Sequence, residues 1–338
     1  MGGYGSDYDY STSDAVVKKS VKSYNVDLGR EYEEARVIPP PPKGKVLVTK
    51  AKLPLVVAVD VTGSMREFPQ IIFEKLCILY NEVLFFLPED LKNSFEISFA
   101  AVGDAYCDQA PLQVTNFAAG PELDLNIKSL YPEGGGGGQA RETYELVAYY
   151  YALKCELLNA QERPRPIFIF VGDEGFYSKA SRDHIVNLIG DTPRTDVDSK
   201  EIFDALMRKF STYILRVKYV HDEKAEEFIH KQWEETLGKE RVFLMEDPRR
   251  VVDTIIGIVA ASVDKFDEFR ERIEIRQTPA QVAQVYSTLN GFESENQKKY
   301  VYQIAALECP RCGAKLGEMP DYGRPVKCEM CDYLIVRI

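Results

Sequence analysis

Asp60, Thr62 and Ser64 stand at alternate positions directly after the apolar run Leu53-Pro54-Leu55-Val56-Val57-Ala58-Val59. The run is short and rich in branched residues, and Pro54 and Gly63 bound it, as expected of a buried parallel strand. One carboxylate and two hydroxyls then leave the strand's carboxyl end on a tight turn. Ligands of open α/β sheets bind at that edge. An all-oxygen donor set suits a hard divalent cation, Mg²⁺ or Mn²⁺, better than zinc. The alternative is structural: Asp60 caps the next helix, and Thr62 and Ser64 complete its turn. A second donor set lies near the end of the chain. Cys309-Pro310-Arg311-Cys312 and Cys328-Glu329-Met330-Cys331 form two C-x-x-C pairs at the spacing of a structural Zn²⁺ site. Four thiolates close a tetrahedron and leave no position for substrate. A redox pair is the competing reading of either motif alone.

At the first site the sequence resembles a von Willebrand factor type A (vWA) domain. The metal-ion-dependent adhesion site (MIDAS) of that family is built on Asp-x-Ser/Thr-x-Ser after the first strand, matched here by Asp60, Thr62 and Ser64. Two further loops of the family follow in order. Ile167-Phe168-Ile169-Phe170-Val171-Gly172-Asp173-Glu174-Gly175 resembles the central strand and its Thr-Asp-Gly-like turn, which carries Asp173 over as the carboxylate that holds a metal-bound water. Between them, Gly134 to Gly138 precede Gln139-Ala140-Arg141-Glu142-Thr143. Standard members place a Thr in this loop, whereas integrin-β-like and several intracellular members place a Glu after a Gly-rich stretch. The resemblance therefore assigns Glu142, with Thr143 as the fallback. Asp104, after Phe95 to Gly103, is carried over as an outer carboxylate, with a plain surface turn as its alternative. An Asp common in related loops is replaced by Gly138-Gln139, which removes support for an auxiliary metal. The resemblance covers roughly residues 50–265. It also resembles a zinc ribbon at the C-terminus, where Gly313 gives the first knuckle its permissive backbone and Asp332 stands in the second.

These residues need a scaffold, and from residue 46 strands and helices alternate. That pattern predicts an α/β fold with a doubly wound (Rossmann-like), mostly parallel sheet. Later strands are expected at 94–102, 112–116, 166–172, 212–218 and 241–245. A helix is expected near Phe68 to Phe86, with Ile71, Ile72, Leu76, Leu79 and Val83 on one stripe. Further helices are expected at 122–130, 141–158, 180–189, 198–210, 222–237 and 248–263, the fifth burying Ile229, Trp233 and Leu237. Thr278-Pro279 reads as a helix start. Four divisions follow: residues 1–45, a mobile arm ending in the Pro39–Pro42 linker; 46–265, the vWA domain; 266–305, a helical connector; and 306–338, the ribbon.

A net charge of −11 argues against non-specific nucleic-acid binding, which needs surplus Lys and Arg. No stretch reaches the ~20 apolar residues of a membrane span. The N-terminus lacks the basic and apolar segments of a secretory signal, although Met1-Gly2 with Ser6 matches a myristoylation pattern. Cys77, Cys107 and Cys155 are isolated and expected as buried thiols, which fits a reducing, cytoplasmic setting. Three scattered histidines give no catalytic triad, and the glycine run lacks the Lys-Ser/Thr of a phosphate loop. The expected function is a non-enzymatic, Mg²⁺-dependent binder of a protein partner that presents an Asp or Glu. A nucleic-acid-associated factor acting through the ribbon, or a metallohydrolase, is the alternative.

Overall fold

The computed structural model describes residues 37–65, 68–134, 140–219, 222–289 and 292 of a first unit, Met1–Phe292. Of a second unit, Glu293–Ile338, it describes 308–309, 314–317, 326–328, 330 and 334–335. The expected N-terminal arm up to residue 36, Gly135–Gln139, Cys312 and Cys331 lie outside the described residues.

The first unit is built on six strands: β1 (Leu53–Asp60), β2 (Phe95–Val102), β3 (Leu112–Val114), β4 (Ile167–Gly172), β5 (Ser211–Val217) and β6 (Val242–Met245). Their order across the sheet is β6-β5-β4-β1-β2-β3. All neighbours are parallel except β2 and β3, so the sheet is mostly parallel with one antiparallel edge. Every residue of β1 is buried, as an apolar central strand requires when helices cover both faces.

Alternation along β1 divides the core into two layers. Leu53, Leu55, Val57 and Val59 pack with α1 (Phe68–Leu84) and α6 (Val251–Ser262). Val56 and Ala58 pack with α3 (Tyr144–Leu153), α4 (Ser199–Lys209) and α5 (Glu223–Leu237), where Trp233 is fully enclosed. A shorter helix, α2 (Glu122–Lys128), packs on the first layer through Leu123 and Ile127. Ile229, Trp233 and Leu237 form the expected buried stripe.

Several boundaries differ from those expected. The helix expected at 141–158 spans only Tyr144–Leu153, because Arg141–Glu142 pair with Gly175–Phe176 and Cys155–Leu157 pair with Leu47–Thr49. Both flanks take their hydrogen bonds from other chain segments instead of the helix. The segment expected as a helix at 180–189 holds the short turn Arg182–His184 and the wide turn Ile185–Ile189, ended by Gly190 at φ 92°. Pro42 is buried and Gly44 N–H donates to the Ile189 carbonyl, so the proline segment docks on the unit at its end. Cys107 is exposed, whereas Cys155 is buried as expected.

Residues beyond 265 also join this unit. Helix α7 (Phe266–Arg276) and helix α8 (Pro279–Thr288) carry Phe269, Ile273, Val282 and Val285 into the first core layer. Thr278 and Gln281 form a reciprocal capping box at the start of α8, with Pro279 in its first turn. Phe269 packs edge-on to Phe86, and a Cβ on Gly257 would lie 3.0 Å from the Phe269 ring. If the connector is part of the domain, Phe269→Ala should destabilise the whole first unit by about 3–5 kcal/mol. Urea unfolding checks this; an unchanged midpoint would mean that α7 packs independently.

Candidate metal centre

The sheet order reverses at β1, whose chain successor β2 lies on one side while β4 lies on the other. The crevice outside the carboxyl ends of β1 and β4 is therefore a topological switch point, where such sheets bind ligands. Register aligns the candidates there: Asp60 is level with Val102, Val59 is level with Val171, and Asp173 follows the last residue of β4.

Asp60 is fully buried and both its oxygens are engaged. Oδ1 accepts from the Thr62 amide (2.9 Å) and the Thr62 hydroxyl (2.6 Å), and Oδ2 accepts from Tyr144 Oη (2.8 Å). Thr62 Oγ1 lies 3.2 Å from Ser64 Oγ, which donates to Asp173 Oδ1 at 2.9 Å. The chain Asp60–Thr62–Ser64–Asp173 thus links two strand ends. Gly172 makes the Tyr144 contact feasible, because a Cβ there would sit 1.8 Å from Tyr144 Oη.

Glu142 reaches the same cluster. It is 2% exposed, and among the described residues its Oε2 is a buried oxygen with no hydrogen-bond partner. Such an orphan costs about 1–3 kcal/mol. Glu174, which the sequence did not single out, is also buried. Its position next to Asp173 on one turn was the available signal. The pairing of Arg141–Glu142 with Gly175–Phe176 ties these two loops together.

The remaining candidates lie to one side. Asp104 accepts from Tyr177 Oη (3.0 Å) and the Tyr106 amide (3.0 Å), so its oxygens serve the neighbouring turn. Thr143 Oγ1 donates to the Gly103 carbonyl at 2.5 Å and accepts from the Ala105 amide at 3.3 Å. The structure thus brings together Asp60, Thr62, Ser64, Glu142 and Asp173, and gives Asp104 and Thr143 other partners.

The electrostatics are one-sided. Burial raises the pKa of Asp60 to about 6 and that of Glu174 to about 7; Asp60's charge adds to the effect on Glu174, and the hydroxyl contacts oppose it. Burial first, then the charge of Asp60, also raises Glu142 and Asp173. No described Lys or Arg forms an ion pair with any of the four; the nearby Arg216 is spent on Glu226 (2.7 Å) and the Asp173 carbonyl (3.1 Å). An oxygen-rich, buried, anionic cluster with an orphaned carboxylate oxygen has the donor chemistry for a hard divalent cation. Among the described residues, no three His, Cys, Asp or Glu side chains close into a ready coordination group. The hydroxyls of Thr62 and Ser64 lie between the carboxylates and complete the donor set.

In the second unit, Cys309 and Cys328 are buried in one cluster with Ala314 and Leu316 packed against it. The Cys309 amide donates to the Ala314 carbonyl (2.7 Å), and Val326–Lys327 pair antiparallel with Leu334–Ile335.

No family model matches the chain, and no curated protein matches it. Among solved structures, it is similar to the pilus adhesin SpaC of Lactobacillus rhamnosus GG in its open conformation, at 12% identity and a TM-score of 0.46. That match covers 65% of this chain and 31% of the adhesin. It is also similar to proximal thread matrix protein 1 of the mussel byssus, at 10% identity and a TM-score of 0.41, over 64% of this chain and 49% of that one. The chain thus spans about a third of the adhesin's length and half of the byssus protein's. Likenesses this distant carry no argument about the site. Among the described residues, no helix is long and apolar enough to cross a membrane.

Acids whose folded pKa lies above the unfolded value hold extra protons in the native state. Their contribution is most favourable below the unfolded pKa and is lost as pH rises through the folded one. Chelated protein should therefore lose melting temperature from about pH 5 to about pH 8, the interval spanning the raised Asp60 and Glu174. Millimolar Mg²⁺ should reverse the loss, most strongly at the upper end. Differential scanning fluorimetry across pH checks this; a chelated protein that gains stability over the interval would contradict it.

Proposed function

We propose that the chain is a metal-dependent protein-binding module of the von Willebrand factor type A kind, with its adhesion site at the β1–β4 crevice. The observation that carries this reading is the hydrogen-bonded Asp60–Thr62–Ser64–Asp173 chain, together with the buried Glu142 oxygen that has no partner among the described residues. Thr62, Ser64 and Glu142 would hold Mg²⁺ or Mn²⁺ directly, and Asp60 and Asp173 would act through waters. A bound ion supplies the counter-charge that a partner's Asp or Glu needs. Tyr144 and the Thr62 amide keep Asp60 oriented, and Arg216 holds the backbone carbonyl of Asp173. Nothing in this arrangement asks for a catalytic group, and the role proposed is binding, not turnover.

The C-terminal unit is proposed as a zinc ribbon on Cys309, Cys312, Cys328 and Cys331. The joint burial of Cys309 and Cys328 supports it. A bound zinc supplies about 10–16 kcal/mol of apparent folding free energy, which so short a segment needs. The buried Cys155 and exposed Cys107 thiols, neither in a disulfide, support a reducing, cytoplasmic setting.

Combined Thr62→Ala and Ser64→Ala should abolish chelator-sensitive capture of the partner while leaving the cooperative unfolding of the first unit in place. Capture from a lysate, with and without chelator and Mg²⁺ add-back, reads this directly. Removal of 306–338 should weaken or redirect capture. Capture that ignores chelator and the double variant, yet vanishes with the ribbon, would favour the ribbon-based nucleic-acid reading.

A further inference from the structure

The loop from β2 to β3, at the antiparallel edge of the sheet, carries an aromatic surface that the metal reading does not use. Tyr106 is 57% exposed. Its ring lies 4.7 Å from that of Tyr177 at 47° and 4.6 Å from that of His184 at 74°. Rings from three chain segments therefore back one another, and Tyr106 still leaves more than half its surface to water.

This surface is held in place from both sides. The Gly103 amide donates to the Pro111 carbonyl (3.0 Å), and the Cys107 and Asp108 amides both donate to the Asp104 carbonyl (3.1 and 2.8 Å). Thr143 Oγ1 donates to the Gly103 carbonyl and accepts from the Ala105 amide, which fastens the loop to the start of α3. Tyr177 donates its hydroxyl to Asp104 Oδ2 (3.0 Å) and its amide to Glu145 Oε2 (3.3 Å), and its carbonyl accepts from Ser199 Oγ (2.6 Å). A surface ordered in advance loses little freedom when it binds.

The acids bonded to these rings set the sign of what they attract. Asp104 and Glu145 are 2% and 1% exposed. Half-buried Asp108 accepts the Asp104 amide on Oδ2 (2.7 Å), while its Oδ1 meets only the weakly donating Cys107 thiol (3.7 Å). No described Lys or Arg forms an ion pair with any of the three. Arg182, two residues from His184, is engaged by Asp183 (2.9 Å) and the Pro193 carbonyl (3.1 Å). Acids without counter-ions beside an open ring face favour a cation. Rings already in contact leave no cage for a rounded ammonium group. A planar guanidinium can instead lie flat on Tyr106 while its N–H groups reach Asp108.

We propose that Tyr106, backed by Tyr177 and His184 and flanked by Asp108, is a docking platform for an arginine side chain of a protein partner. This goes beyond the proposed metal site and stands without it.

The test is fluorescence anisotropy on the full chain in chelator, so that a bound metal plays no part. The probe is a short labelled Gly/Ser peptide with two arginines, set beside otherwise identical peptides carrying lysine or uncharged citrulline. The arginine peptide should bind more tightly than the lysine one, and the citrulline peptide should not bind. Tyr106→Ala, a change at an exposed position, should weaken arginine-peptide binding by about two- to fivefold. Asp108→Asn should weaken it by a similar factor, about two- to fivefold. Tyr106→Phe keeps the ring and should bind as wild type does. Unchanged binding in Tyr106→Ala would assign the attraction to the chain's general negative charge and overturn the proposal. Equal affinity for the lysine peptide, or no binding to wild type, would overturn it too. None of these outcomes bears on the metal site.

Discussion

Four carboxylates buried at one sheet edge, with no described cation paired to them, set the terms for the rest of this structure. Burial alone makes each charge costly, and each charge raises the cost of its neighbours. The protein offsets part of this with hydroxyls: Thr62 and Tyr144 donate to Asp60, and Ser64 donates to Asp173. What those donors leave over is the unpartnered Glu142 oxygen and the mutual repulsion. A fold that tolerates such a site has to hold it rigidly.

The rigidity comes from packing around β1 and β4. Branched and aromatic side chains fill both faces of these strands, so their carboxyl ends cannot drift. Phe168, Phe170, Phe203, Phe176 and Trp233 form a continuous aromatic cluster of edge-to-face and tilted contacts. Trp233 belongs to both systems, with its ring in the core and its Nε1 on the Glu174 carbonyl. Arg216 does the same from β5, neutralised by Glu226 and bonded to the Asp173 carbonyl. Core and site are therefore one mechanical object, and the site loops have little slack.

Much of this frame was legible in the sequence because buried parallel strands are short apolar runs, and β1, β2, β4, β5 and β6 each begin and end within a residue or so of their runs. Asp60, Thr62, Ser64 and Asp173 were legible for the same reason, since they follow such runs directly. Less legible was anything decided across the fold. Tyr144 reads as one more aromatic on a buried helix, and only the gap left by Gly172 turns its hydroxyl onto Asp60. The expected helix over 141–158 overreached because both flanks pair with distant strands, a choice that local propensity does not encode. Helix α7 reads as part of a connector because its charged residues dominate the pattern, while Phe269 and Ile273, with Val285 of α8, bury into the domain. Glu174 was not legible because a turn's sequence does not announce that both of two adjacent acids are buried.

The most direct test of the central claim is anomalous diffraction from crystals grown or soaked with Mn²⁺, an ion of the same ligand preference as Mg²⁺. One strong peak is expected among Thr62, Ser64 and Glu142, with Asp60 and Asp173 on its waters. A Mn²⁺-soaked crystal with no peak in that crevice, or with its peak elsewhere, would contradict it.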